Sequence, residues 1–177
     1  MKNKATIIAK GNEFIPFMVS IGGGIKDMKA YALDPPTESM PPHNCRMTIC
    51  NLYVDVKEAM GANIVNTIAE RISPFISEIT HARTGICILS NLSESRLARS
   101  YFEVPTSIMK WKGVSGEEVA TRLIQTYEFA KRDIHRTITH NKGIMNGIDA
   151  VAIATGQDWR AIEAACHTYA YFSMFMT

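Results

Sequence analysis

The chain has 177 residues, 46% hydrophobic and 20% charged, with a net charge of +2. That is room for one domain or two small ones of ordinary globular composition, and with no long basic run it offers no electrostatic case for nucleic acid. No apolar segment is long enough to span a bilayer or to form a signal-peptide core, so no membrane association is expected.

The four cysteines, Cys45, Cys50, Cys87 and Cys166, form no C-x-x-C pair and match no zinc spacing. Cys50, Cys87 and Cys166 sit in apolar runs, where cysteine acts as a small hydrophobe. This points to a reducing, cytoplasmic compartment and to no metal site.

In chain order, Ala5 to Ala9 reads as a short strand or a helix end. Residues 14–21 are apolar and stop at Gly22-Gly23-Gly24, a strong breaker. Ile25 to Leu33 alternates loosely and is read as a strand. Prolines 35, 36, 41 and 42 make the stretch from Asp34 to Asn44 a loop, and His43 within it is read as solvent-facing. Arg46 to Val56 is rich in β-formers and is read as a strand.

Glu58-Ala59-Met60-Gly61-Ala62-Asn63 opens a helix in which Ile64, Val65, Ile68, Ile72, Phe75, Ile76 and Ile79 recur at three- and four-residue spacing. Gly61 and Ala62 leave room for a ligand at the helix start, where free N–H groups favour anions. Tight helix–sheet packing explains the same small residues equally well. Thr84 to Ser90 reads as a compact strand. Two strands flanking a helix, with a strand and an apolar segment ahead of them, suit an α+β unit of ferredoxin-like type ending near residue 90.

The second half reads as mainly helical. Arg96 to Val104 is taken as extended. Ser115 with Glu118 is a capping box, opening a helix through Val119, Leu123, Ile124, Tyr127 and Ala130 to about Arg132. Then comes Thr139-His140-Asn141-Lys142-Gly143-Ile144-Met145-Asn146-Gly147-Ile148-Asp149. Its glycines let backbone approach a ligand, and the lysine beside them can hold a developing negative charge. Taken alone, the string also reads as a glycine-rich turn with a surface lysine, with Gly143 to Gly147 a turn or the start of a helix. Asp158 falls in the first turn of a helix running to Ala170, a favoured place for a carboxylate. His167 on that helix is read as packed or solvated rather than catalytic.

Five blocks then appear in a telling order: residues 54–67, with the core Glu58-Ala59-Met60-Gly61-Ala62-Asn63; Ile88-Leu89-Ser90-Asn91-Leu92; Arg96-Leu97-Ala98-Arg99; residues 139–149; and Ala154-Thr155-Gly156-Gln157-Asp158-Trp159-Arg160-Ala161. From about Gly22 to Ala170 the chain closely resembles the 3-hydroxy-3-methylglutaryl-CoA (HMG-CoA) reductases of the bacterial and archaeal class II. The resemblance implies an oxidoreductase that takes HMG-CoA to mevalonate and CoA with NADH or NADPH, or runs the reverse.

It implies Lys142 as the catalytic cation that holds the carbonyl oxygen as charge arrives, and Asp158 as the catalytic aspartate that tunes proton transfer. Arg136 and Asn146 match residues that contact the HMG group or support the lysine. Glu58, Met60, Gly61 and Asn63 fall on the family's D-A-M-G-x-N nucleotide motif, with Glu58 in place of its aspartate. Asn91 matches a further cofactor contact. No Rossmann fingerprint is present, as the resemblance requires.

The family's E-N-V-I-G glutamate and its flap histidine match no part of these residues. The expectation is a central fragment. Residues 1–90 would be an N-terminally incomplete NAD(P)-binding domain, and residues 91–177 part of the large HMG-CoA domain. It would be a dimer-based homo-oligomer, nearly inactive alone. The reading from another class is a truncated, inactive paralogue that binds nucleotide or a partner chain.

Overall fold

Ala5 to Ala9, open between strand and helix in the sequence, belongs to helix α1, Lys4–Asn12. The computed structural model describes residues 2–35 and 46–175, in two compact units, Met1–Leu89 and Ser90–Thr177. The proline loop from residue 36, with His43 and Cys45, lies outside the described residues.

In the first unit, α1 buries Ile7 and is followed by a short helix α2, Pro16–Ser20. Pro16 stands at its first position, where a missing N–H breaks no helical bond. Strands β1, Gly24–Leu33, and β2, Met47–Asp55, pair antiparallel from Gly24↔Asp55 to Leu33↔Met47, with an irregularity between Ile25 and Asp27. The Asn12 side chain stands in for a strand neighbour at the start of β1. Its Oδ1 accepts from Ile25 N at 2.7 Å, and its Nδ2 donates to Ile25 O at 3.4 Å.

Helix α3, Ala62–Thr80, follows the isoleucine spacing read from the sequence, with Ile68 and Ile72 at 0% and 1% exposure. Ile72 joins Ile7 and Met28 in a core to which Phe75, Ile76 and Ile79 add their flanks. Each fully buried side chain of this core stabilises the fold by about 1.5–3 kcal/mol. Pro74, inside α3, cannot donate to the Glu70 carbonyl, and the Ser73 hydroxyl fills that place at 3.0 Å.

Thr84 to Ser90 corrects the sequence reading, because it forms no strand. The side chains do alternate, with Ile86 and Ile88 exposed and Cys87 and Leu89 half-buried. A strand also needs a ladder, however, and Leu89 N donates instead to the Asn66 side-chain oxygen on α3, at 2.8 Å. Among the described residues the sheet therefore has two strands, and this unit is a small antiparallel pair covered by helices.

In the second unit, residues 96–104 lie outside any ladder and are exposed. A 3-10 turn at Thr106–Ile108 precedes helices α4, Gly116–Arg132, α5, Ile134–Ala154, and α6, Trp159–Phe175. Half of the capping box forms: Ser115 Oγ accepts from Glu118 N at 3.2 Å, while the Glu118 carboxylate pairs with Arg122. A Cβ at Gly116 would collide with the Thr106 carbonyl, which is why the turn can lie against α4.

One extended residue, Asp133 (φ −116°, ψ 117°), separates α4 from α5 and caps α5 by accepting from Arg136 N at 2.7 Å. The buried Thr137 hydroxyl donates to the Ala130 carbonyl and ties the two helices together. No helix among the described residues is long and apolar enough to cross a membrane.

The second correction concerns Gly143 to Gly147. These residues are neither a turn nor a helix start but the interior of α5. Two mid-helix glycines cost about 1 kcal/mol each. Burial of Thr137, Met145 and Ala152 on the other face of α5 outweighs that cost. Nothing lies within 4 Å of a Cβ built on Gly143. Gly143→Ala is therefore expected to raise the stability of the second unit by about 0.5–1 kcal/mol, read as a higher midpoint in urea; a lower midpoint would mean that α5 is not helical there.

Candidate functional site

The first unit gathers four of the marked residues where β2 passes into α3. Gly61 is the N-cap of α3 at φ +93°, a left-handed conformation open to glycine, and no side chain caps the helix. A Cβ there would come within 2.7 Å of Val56 Cγ2, so the loop presses directly on the end of β2. Met60 is 53% exposed, Glu58 and Asn63 are also exposed, and Gly61 is buried between them. The arrangement presents uncapped helix N–H donors, an amide and a flexible apolar side chain to solvent, a set that suits an anionic ligand carrying an apolar ring.

Lys57, which the sequence reading passed over, belongs beside them. Its backbone is left-handed (φ +52°) and is held there by Asp55, whose Oδ1 accepts Lys57 N at 2.9 Å and whose Oδ2 pairs with Lys57 Nζ at 3.0 Å. The Lys57 N–H first, and its ammonium next, hold the Asp55 carboxyl below its ordinary value. The ammonium lies 3.7 Å from a Cβ built on Gly22, and Lys26 Nζ donates to Gly22 O at 2.8 Å. Two cations thus stand at the glycine turn. The signal in the sequence was a lysine directly before Glu58-Ala59-Met60-Gly61. Asn91, the fifth residue marked for the cofactor, is exposed in an irregular stretch of the second unit.

In the second unit, Lys142 and Asn146 lie one turn apart on α5, and Lys142 Nζ donates to Asn146 Oδ1 at 3.0 Å. Both side chains face solvent, so the ammonium keeps further protons free for a ligand. Arg136 lies nearer the start of α5 and is half-buried. The amide fixes where the ammonium points, and the arginine adds a forked donor suited to a carboxylate.

Asp158 sits elsewhere. Helix α5 closes with Gln157 N donating to Ala152 O at 2.8 Å and Gly156 N to Ile153 O at 3.2 Å, with Gly156 at φ +69°. Asp158 then starts α6, its Oδ1 accepting from Ala161 N at 3.1 Å. Lys142 lies about 18 Å up an ideal helix from the end of α5. Among the described residues, no hydrogen bond or ion pair joins Lys142 to Asp158. The pairing that the structure does make is Lys142 with Asn146. No group of three or more His, Cys, Asp or Glu residues that could hold a metal occurs among the described residues.

Comparison with known proteins places the chain in a family. The family model described as hydroxymethylglutaryl-coenzyme A reductase matches residues 1–177. The chain is 45% identical over 170 residues to the 3-hydroxy-3-methylglutaryl-coenzyme A reductase of Archaeoglobus fulgidus, covering 96% of this chain and 36% of that protein. It is 37% identical over 125 residues to the probable reductase of Borreliella burgdorferi, covering 68% of this chain and 28% of that protein.

Among solved structures, the Streptococcus pneumoniae reductase superposes with a TM-score of 0.78 at 34% identity, over 97% of this chain and 44% of that one. The class II enzyme from the same organism, bound to NADPH in open conformations, superposes at 0.77 and 34%, over 96% and 44%. The chain thus spans less than half the length of the relatives it matches.

Proposed function

Because the chain belongs to the hydroxymethylglutaryl-coenzyme A reductase family, we propose that it carries part of that enzyme's cofactor cradle and part of its substrate site. The observation that carries the reading is the Lys142–Asn146 couple, an aimed and exposed ammonium on a helix face edged by two open glycines. On this reading residues 1–90 form the small NAD(P)-binding domain and residues 91–177 a share of the large one. The unit boundary at Leu89 and Ser90 supports that division. The small domain is read as an incomplete ferredoxin-like unit, supported by its antiparallel strand pair packed with helices.

Glu58, Met60, Gly61 and Asn63 fit a dinucleotide. The uncapped start of α3 and Lys57 suit its phosphates, and Met60 suits an apolar ring face; Asn91 is proposed as a further contact. Two molecules of NADPH or NADH, bound in succession, would each supply one of the two hydrides that take the HMG-CoA thioester to the alcohol of mevalonate. Lys142 donates a hydrogen bond to the carbonyl oxygen and stabilises it most when it is most negative. Asn146 holds Lys142, and Arg136 grips the HMG carboxylate. Asp158 takes the proton-tuning role from its place at the start of α6.

Two further features support an assembled, soluble enzyme. Leu123, Ile124, Tyr127, Ile138 and Val151 are all more than half exposed, an apolar surface of the kind that a dimer-based homo-oligomer covers. The free, half-buried Cys50, Cys87 and Cys166 suit the cytoplasm.

HMG-CoA-dependent consumption of NADPH by the chain tests the proposal. The rate is expected to be slow, since neither the family's E-N-V-I-G glutamate nor its flap histidine matches these residues and loss of a general acid costs about 10²–10⁴-fold. NADPH consumption unaffected by HMG-CoA would reject it.

A further inference from the structure

Asp55 puts a negative charge where a phosphate site calls for positive ones. It ends β2, and its two oxygens serve different partners. Oδ1 accepts from Lys57 N at 2.9 Å and fixes the left-handed backbone of the turn, while Oδ2 pairs with the Lys57 ammonium at 3.0 Å. A solute can reach the pair, since the Lys57 and Asp55 side chains are 38% and 36% exposed. The start of α3 is close by, because the Gly61 cap presses on Val56, the residue between the two partners. The Lys57 N–H first, then its ammonium, with Lys26 adding to them, hold the Asp55 carboxyl below its ordinary value. At neutral pH it is therefore ionised and competes for the Lys57 ammonium.

We propose that Asp55 is an exchange partner for the cofactor: an arriving phosphate draws the Lys57 ammonium off Asp55 Oδ2, and Asp55 takes it back as the spent cofactor leaves. The inference rests on the reading of Lys57 as a phosphate contact. The reaction gives the exchange a use. Two hydrides need two cofactor molecules in succession, so the site must empty and refill before the product forms. An ammonium with no other partner would hold the spent cofactor. The neighbouring carboxylate opposes binding twice over, by competing for the ammonium and by repelling the phosphate. Both effects have one sign, so Asp55 weakens binding and speeds release. Oδ1 keeps the Lys57 backbone in place meanwhile, and the flexible stem of lysine lets the ammonium swing.

The test is NADPH binding to the full chain, followed by the cofactor's fluorescence, together with its release rate on rapid dilution. Asp55→Asn keeps an oxygen for the Lys57 N–H and removes the charge. It is expected to lower the Kd by about fivefold, mainly through slower release, the size of an exposed ion pair that no longer competes. Lys57→Met is expected to raise the Kd at least about tenfold, the loss of a hydrogen bond from a charged donor.

Unchanged or weaker binding by folded Asp55→Asn overturns the proposal, because a merely structural Asp55 could only loosen the turn. That result alongside a weakened Lys57→Met sinks the exchange alone; binding unchanged in Lys57→Met rejects the phosphate reading of Lys57 and the exchange with it. Should the asparagine variant fail to fold, the Asp55 carboxyl carbon of the isotope-labelled wild-type chain is titrated with and without saturating NADPH. Its midpoint is expected to rise once the ammonium has turned to phosphate, and a midpoint that stays put overturns the proposal.

Discussion

Lys142→Ala is expected to lower HMG-CoA-dependent NADPH consumption by about 10²–10³-fold, the size of loss seen when one donor to a developing oxyanion is removed. The ratio between variant and wild type carries the result, so a slow absolute rate does not weaken it. The fold should survive. Lys142 is exposed, and its bond to Asn146 is a one-turn surface pair of the kind worth a few tenths of a kcal/mol. Circular dichroism and the urea midpoint should therefore stay close to wild type, which assigns the loss to chemistry. Lys142→Arg keeps the charge but spreads it over a planar fork, and recovery should be partial. An alanine variant as active as wild type would remove Lys142 from the mechanism.

Gly61→Ala is expected to destabilise the first unit by about 2–4 kcal/mol, from the left-handed backbone and from overpacking against a neighbour. The neighbour is the buried Val56, whose Cβ and both Cγ atoms lie within 2.9 Å of the new methyl. Because the chain has two units, a single transition would blur the effect. Hydrogen exchange along α3 resolves it, with faster exchange at Ile68 and Ile72 and little change in α5. The same substitution should abolish nucleotide binding, since it disturbs the turn that presents the α3 N–H groups. Contrast with Gly143→Ala sharpens both outcomes: one glycine is required by backbone and packing, whereas the other faces open space. Unchanged exchange in α3 would show that the turn can relax around a methyl group.

Local signals told the truth where packing agreed with them. The isoleucines of α3 repeat at helical spacing because one face of that helix lies on the core formed with Ile7 and Met28. Ser115 capped α4 as its motif requires, and β1 and β2 formed where β-rich residues alternate. Thr84 to Ser90 had the pattern of a strand but found no edge, and a strand's stability lies in its neighbour rather than in its own residues.

Gly143 and Gly147 concealed α5, because glycine's weak propensity is a local penalty that burial on the opposite face overrides. The resemblance marked Lys142, Asn146 and Asp158 together. Only the helix shows that the first two are one turn apart while Asp158 caps the next helix. Lys57 lay inside the first of the five blocks but was marked for no role there. It became visible through what it touches, the Asp55 carboxylate and the glycine turn.

The most direct measurement is a titration of the isotope-labelled chain with NADPH and then with HMG-CoA, following backbone amide resonances. NADPH is expected to move residues 57–64 at the turn into α3, and HMG-CoA to move residues 139–149 on α5, each saturably and each in its own unit. NADPH shifts confined to α5 and α6, or HMG-CoA shifts that spare residues 139–149, would contradict the division of cofactor and substrate between the two units.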